Sequence, residues 1–235
     1  MGSDVAASAL CVDKVRFKAL MGAGGVPQVA HRGVPDRRWR GGRTAVLAEL
    51  EPLGLPVFVK PARLGSSVGI ARATDADELA HALDRAFVHD SLAIVEAASS
   101  GTEVECSVLG DQDPRCATPG EIVPHSDFYD YAAKYEPGGM ELVVPARVDE
   151  RAAAEVARLA IEAFVRAGCS GLARVDFFVE ADRVLLNELN TMPGFTATSV
   201  YAKLWAADGL PYERLVEELC VIALERHARA RRYRL

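Results

Sequence analysis

The stretch "LARVDFFVEADRVLLNELNTMPG", residues 172–194, holds the sharpest chemistry in the chain. Side chains alternate faces along a strand, so Arg174 and Asp176 share one face, and Glu188 and Asn190 share one on the next strand. With a hairpin loop of Ala181-Asp182-Arg183, Asp176 lies opposite Glu188 and Arg174 opposite Asn190, and all four crowd one face. A loop with an even number of residues breaks that pairing, and no glycine fixes the loop type. Two carboxylates opposed across a sheet repel unless positive charge lies between them. Oxygens of Asp, Glu and Asn suit a hard cation, and Mg2+ takes a few carboxylates together with phosphate oxygens. The competing reading is a solvated strand face with an Arg–Asp pair.

A second constellation is "VKPARLGSSVGIA", residues 59–71, where Lys60 precedes the run Gly65-Ser66-Ser67-Val68-Gly69. A Walker loop would need Gly-Lys-Ser/Thr ahead of a helix, whereas this run leads into a strand. Backbone amides of a Gly/Ser loop cradle phosphate oxygens in any fold, and Lys60 adds a point charge beside them. Lys14 and Lys134 are further candidates, each with an ordinary surface lysine as its alternative. Glu96, ending "AIVEAA", and Glu103 straddle a junction, where a carboxylate suits an adenine amino group or ribose hydroxyls. Together these residues describe a nucleotide clamped between two lobes, with metal on the second.

The elements that must position them can be read from the pattern. "SDVAASALCVDKVRFKALMGAGGVPQV" reads as a helix capped by Ser3 or Asp4 and stopped at Gly24-Gly25 and Pro27. Its "GAGG" follows a helix rather than a strand, so it reads as a C-cap and not a dinucleotide loop. "AHRGVPDRRWRGGR" reads as a polar connection, "TAVLAELEPLG" as a short helix, "LPVFVKPA" and "VGIARA" as strands, "DADELAHALDRAFV" as an amphipathic helix and "LAIVEAA" as a strand. "TEVECSVLG" and "PRCATPGEIVP" read as antiparallel strands joined by "GDQDP". "HSDFYDYAAKYEPGGMEL" reads as a loop too long to be a plain connection. A helix over "DERAAAEVARLAIEAFVRAG", the acidic hairpin, and helices over "TSVYAKLWAADG" and "PYERLVEELCVIALERHAR" complete the chain. The expectation is an α+β protein of two lobes meeting near residues 95–100.

Bulk properties exclude several classes. At 235 residues, half of them hydrophobic, the chain has ordinary globular composition. A net charge of −6 argues against a nucleic-acid partner, and the basic "ERHARARRYRL" reads as a solvated helix end with cations near its negative pole. No apolar run reaches the roughly 18 residues of a membrane span, and the first residues lack a signal-peptide pattern. The five cysteines, odd in number and without a C-x-x-C pair, read as free thiols, mostly buried, in a reducing compartment. A cytoplasmic protein without a membrane partner is expected.

"VKPARLGSSVGI", "EVE", "FYDYAAKY", "GLARVDFF" and "LNELNTMPGFTATSVYAKL" closely resemble the D-alanine–D-alanine ligases of the ATP-grasp superfamily, from about Ser3 to the last helix. The resemblance implies an ATP-grasp fold in which two α+β lobes clamp ATP. It implies that Lys14 and Lys60 hold ATP phosphates and that Ser66, Ser67, Val68 and Gly69 form a phosphate-covering flap, Ser66 also turning toward substrate. Glu96 and Glu103 would meet adenine and ribose, with the backbone from Ala97 to Ser99 as the purine slot and Asn187 beside the nucleotide. Lys134 and Tyr135 would sit in a mobile loop. Asp176, Glu188 and Asn190 would hold two Mg2+ ions, with Mn2+ as the substitute. Arg174, Gly194 and Ser199 would hold the second D-alanine, and Arg174, Ser66 and Tyr135 would serve catalysis. Related ligases that favour D-lactate carry a histidine where Tyr135 stands, so D-alanyl-D-alanine is the implied product, made through an acyl phosphate for peptidoglycan precursors.

The sequence also departs from the family. Members carry an N-terminal α/β domain ahead of the "DK" helix, with a glutamate for the first D-alanine's ammonium. This sequence begins inside the motif that follows that domain. Residues 1–14 are therefore expected as the remnant of a linker helix, 15–95 as the small lobe, and 96–235 as the large lobe with metal and substrate site. A homodimer or a separately encoded N-terminal domain is the expected protein partner. The alternatives are a nucleotide-binding module without turnover, and an ATP-grasp ligase for other amino acids.

Overall fold

A computed structural model describes residues 1–65, 67–124 and 140–233. The stretch expected as one opening helix is two, α1 (Val5–Val12) and α2 (Lys14–Ala23). They part at Asp13, whose extended backbone (φ −85°, ψ 94°) lets its carboxylate accept from Arg16 N at 3.0 Å and cap α2. Asp4 caps α1 by accepting from Ala7 N at 2.9 Å. The expected polar connection after them is in fact β1 (His31–Pro35) and α3 (Asp36–Gly41). In β1 only Val34 is deeply buried. Backbone pairing holds that edge strand, and edge strands favour polar residues, so no alternation marked it.

Next come α4 (Arg43–Leu50), β2 (Val57–Pro61), β3 (Ala71–Ala73), α5 (Ala76–His89) and β4 (Leu92–Ala97). The four strands form an antiparallel sheet in the order β1-β4-β2-β3. On β2 the alternation sends Val57 and Val59 into a core with Trp39, Leu79 and Leu83, leaving Phe58 and Lys60 on the opposite face.

The remainder comprises β5 (Thr102–Gly110), β6 (Arg115–Cys116), β7 (Gly120–Pro124), β8 (Met140–Val143), α6 (Glu150–Arg166), β9 (Gly171–Val179), β10 (Val184–Asn190), α7 (Val200–Ala207) and α8 (Tyr212–Ala230). A second antiparallel sheet runs β10-β9-β5-β7-β8, with β6 on β5. One face, carrying Val104, Cys106, Val175 and Phe177, packs on α1, α2 and α6 through Cys11, Phe17, Met21, Leu159 and Phe164. On the other face, α7 and α8 cover the Leu109–Leu172 end with Tyr201, Leu204 and Leu215. The other end of that face carries Glu103, Glu105, Asp176 and Phe178, all lining a cavity.

The β9–β10 hairpin reaches the expected register by a different route. Its loop is four residues, 180–183, closed by Glu180 N donating to Arg183 O at 2.8 Å. An even loop alone would turn Glu188 into the core. A bulge between Leu186 and Glu188 takes up one extra residue, Asn187, and restores Glu188 opposite Asp176 and Asn190 opposite Arg174. The five cysteines are free, and Cys220, read from an apolar context, is exposed on α8. Among the described residues no helix is long and apolar enough to cross a membrane.

Candidate functional site

A cavity of about 600 Å³ lies between the two sheets. Phe58, Lys60 and Glu96 line it from the four-stranded sheet, and Glu103, Glu105, Ile122, Asp176 and Phe178 from the six-stranded one. The β4–β5 connection, Ser99 to Gly101, closes it where the sheets meet. Apolar rings and aliphatic groups with a few convergent charges are the usual make-up of a small-ligand site.

The basic side of the site is built on α2 and β2. Lys14 N donates to Ala62 O at 3.0 Å, and its Nζ donates to Leu64 O at 2.8 Å and stands 3.4 Å from Glu188 Oε2. The first residue of α2 thereby ties the segment leading into the Gly/Ser run to the acidic hairpin. Lys60 is two residues along β2 from Phe58, which is paired opposite Glu96 on β4, and its Nζ lies 2.7 Å from Glu96 Oε2. The other oxygen, Oε1, lies 2.8 Å from Lys18 Nζ, and Lys18 and Glu96 are 1% and 3% exposed. Burial alone would raise the Glu96 carboxyl, but the ammonium groups of Lys18 and Lys60 outweigh it and hold the pKa at about 2. Burial likewise pulls on Lys60, and Glu96, with Glu188 and Glu103 beyond it, keeps its pKa raised.

The acidic side is a row across three strands. Glu105 on β5 is opposite Asp176 on β9, and Asp176 is opposite Glu188 on β10. Arg174 forks onto Asp176, with Nε to Oδ1 and Nη2 to Oδ2 both at 2.8 Å, and its Nε lies 3.1 Å from Glu105 Oε2. Burial works against the guanidinium charge, but Asp176 and Glu105 overcome it and drive its pKa upward. Asn190 Nδ2 donates to Asp176 Oδ2 at 3.3 Å and to Glu188 Oε1 at 3.5 Å. The Arg–Asp pair of the competing reading is thus present, on a wall of the cavity rather than an open strand face.

Among the described residues no group of three or more His, Cys, Asp and Glu side chains stands close enough to hold a metal. The candidate set is instead two carboxylates and an amide. Its chemistry fits Mg2+: all three offer hard oxygens on one face, since the Asn190 amide presents Oδ1 once turned over, and two opposed acids call for a cation between them.

Lys14, Lys60, Ser67, Glu96, Ala97, Ser99, Glu103, Asp176, Asn187 and Glu188 all line the cavity. Arg174 and Asn190 touch Asp176 from just outside the lining. Gly194 and Ser199 lie together, with room for a Gly194 side chain limited by Ser199 Oγ, but away from the lining. Ser199 Oγ accepts from Thr196 N at 3.1 Å ahead of α7. Ser66, Lys134 and Tyr135 lie outside the described residues. Val68 N donates to Gly65 O at 3.2 Å, and Ser67 is left-handed at φ 58°. Gly65 and Ser67 line the cavity, whereas Val68 is exposed and Gly69 packs against Pro61 and His89. Sequence reasoning missed Lys18, Glu105 and Glu121. Lys18 is one helical turn beyond Lys14, and Glu105 is two residues beyond Glu103 on the same strand face, which were the available signals. Glu121 lines the cavity and is held by Arg147, with Nη2 to Oε1 at 2.8 Å.

The family described as "D-ala D-ala ligase C-terminus" matches residues 20–221. The chain is 44% identical over 230 residues to a D-alanine–D-alanine ligase of Bacillus velezensis, covering 97% of this chain and 65% of that protein. It is 46% identical over 229 residues to the ligase of Geobacillus thermodenitrificans, covering 97% and 63%. Among solved structures, the D-alanine–D-alanine ligase of Coxiella burnetii superposes with a TM-score of 0.84 at 35% identity, over 98% of this chain and 62% of that one. The VanG D-Ala:D-Ser ligase of Enterococcus faecalis does so with the same TM-score and identity, over 94% and 64%. The chain therefore spans a little under two thirds of the length of these relatives.

Proposed function

The chain belongs to the family of D-Ala–D-Ala ligase C-terminal regions and has the ATP-grasp fold, and from that premise we propose that it joins two D-alanines at the expense of ATP, through an acyl phosphate, in the making of peptidoglycan precursors. The observation that carries this reading is the meeting, in one cavity between two sheets, of Lys14 and Lys60 with Asp176 and Glu188. Lysines beside a pair of carboxylates match a polyphosphate bridged by a hard cation.

In this reading the backbone from Ala97 to Ser99 takes the adenine, Glu103 meets the ribose and Asn187 borders the nucleotide. Glu96, expected at the adenine, has both carboxylate oxygens paired with Lys18 and Lys60 and acts through them instead. Lys14 and Lys60 neutralise phosphate oxygens, and Ser66 to Gly69 close over them as a flap that excludes water. Asp176, Glu188 and Asn190 would hold Mg2+, or Mn2+ in its place, and the bound cation would draw charge off the phosphoryl group in transfer. Arg174, clasped by Asp176 and Glu105, offers a fixed positive charge to the oxyanion formed when the second amine attacks. Gly194, Ser199 and Tyr135 complete the pocket for the second D-alanine, with Lys134 on the same closing loop. The small lobe, expected over 15–95, has its core within 34–95, whereas α1 and α2 pack with 96–235 as part of the large lobe. The protein acts in the cytoplasm, with a second copy of itself as its protein partner.

The test is ADP release by this chain with Mg2+, ATP and D-alanine, alongside Glu188→Gln. D-alanine-dependent release is expected in the wild type. In the variant it should fall at least about a hundredfold, as for loss of a group that stabilises transition-state charge, while the melting temperature is kept. ATP binding without release would leave a nucleotide-binding module without turnover, and release driven by other amino acids alone would move the substrate. Unchanged turnover in Glu188→Gln would remove the metal assignment.

A further inference from the structure

Lys18 is buried, charged and absent from the cavity lining, yet it shares a carboxylate with a lysine that does line it. The three groups stand in a row: Lys18 Nζ at 2.8 Å from Glu96 Oε1, and Glu96 Oε2 at 2.7 Å from Lys60 Nζ. Their formal charges sum to +1. With Lys18 removed, Glu96 and Lys60 would form a neutral pair, and the cavity wall would present no net charge at this point. With Lys18 in place, one oxygen of Glu96 is ion-paired from behind the wall, and Lys60 keeps charge to offer.

A buried ion pair is weak evidence for stability, because desolvating two charges costs about what their attraction returns. Lys18 lies on α2 next to Phe17, which packs in the core of the six-stranded sheet, and an apolar residue there would fill the space at less desolvation cost. A fully buried ammonium at such a position calls for an electrostatic explanation. We infer that Lys18 is a positioning residue for the nucleotide phosphates: by neutralising Glu96 from the core side it frees Lys60 to hold an anion. This rests on the nucleotide reading of the cavity and adds to it a residue that touches no ligand.

The experiment is calorimetric titration of the whole chain with ADP and, separately, with adenosine, which has the base and ribose but no phosphate. Lys18→Met is expected to weaken ADP at least about tenfold, since the row of three groups falls from a net charge of +1 to neutral, while adenosine changes by less than about twofold. Adding Glu96→Gln to that variant removes the charge that captures Lys60, and ADP affinity should return to within about threefold of the wild type. Equal weakening of ADP and adenosine, or unchanged ADP binding, would show that Lys18 serves packing only. Should Lys18→Met not fold, the double variant decides by itself, because it leaves no buried carboxylate short of a partner. Failure of the folded double variant to bind ADP overturns the inference. A wild-type chain that binds neither ligand would remove the nucleotide reading, and this inference with it.

Discussion

Glu96 is where burial and charge oppose each other most directly. Its folded pKa of about 2 lies below the ordinary 4.5, so its two ion pairs contribute stability that is complete above pH 4.5 and is lost as pH falls toward 2. The size of that shift corresponds to something on the order of 3 kcal/mol. Urea unfolding between pH 5 and 2 should therefore show a steeper loss in the wild type than in Glu96→Gln, and parallel slopes would refute the ion-pair account. Single residues were the most legible scale. Lys14, Lys60, Asp176 and Glu188 could be picked out because their types and spacing suit phosphate and metal, and all four line the cavity. Lys18 was harder: its spacing one turn beyond Lys14 puts it on the same side of α2, but "KVRFKAL" does not say that a carboxylate from another part of the chain meets it there.

At the scale of elements, alternation carried most of the information and failed where it was broken. The helices over 76–89 and 150–166 and the strands over 57–61, 102–110 and 171–179 were marked by their apolar period. β1 was not, since an edge strand with one deeply buried side chain has no period to read. The acidic hairpin is the instructive case: a four-residue loop and a bulge at Asn187 each shift the parity by one and cancel, so the right pairing was reached from a wrong loop length. The bulge has a measurable consequence. Leu186 and Leu189 both face the core, three residues apart rather than two. Leu189→Ala should cost roughly 2–5 kcal/mol in chemical denaturation, and Asn187→Ala less than about 1 kcal/mol. The reverse ranking would mean that the strand alternates without a bulge.

At the scale of the molecule, the cavity depends on two connections between the sheets. One is Ser99 to Gly101, where Ser99 Oγ donates to Glu180 Oε1 at 2.8 Å and accepts from Gly101 N at 3.0 Å. A Cβ on Gly101 would stand 2.9 Å from the Val179 backbone. Gly101→Ala should therefore lower stability by about 1–3 kcal/mol and weaken nucleotide binding as the sheets part. Unchanged affinity would show that the connection is not what sets the gap. The other connection is α2, whose Phe17 and Met21 enter the core of the six-stranded sheet while Lys18 pairs with Glu96 on the four-stranded one. The first lies where the sequence already pointed to a junction of lobes, near residues 95–100, whereas the second was not legible, because it is a contact between distant parts of the chain. The second also bears on the order of events during synthesis. The core of the four-stranded sheet lies within residues 34–95, but Phe17 and Met21 pack with side chains out to Leu189. At about 5–20 residues per second, α2 waits roughly ten to thirty seconds on the ribosome for its apolar partners. Over that interval part of its apolar side is without the last of its partners, and a chaperone that covers it would keep it from non-native contacts.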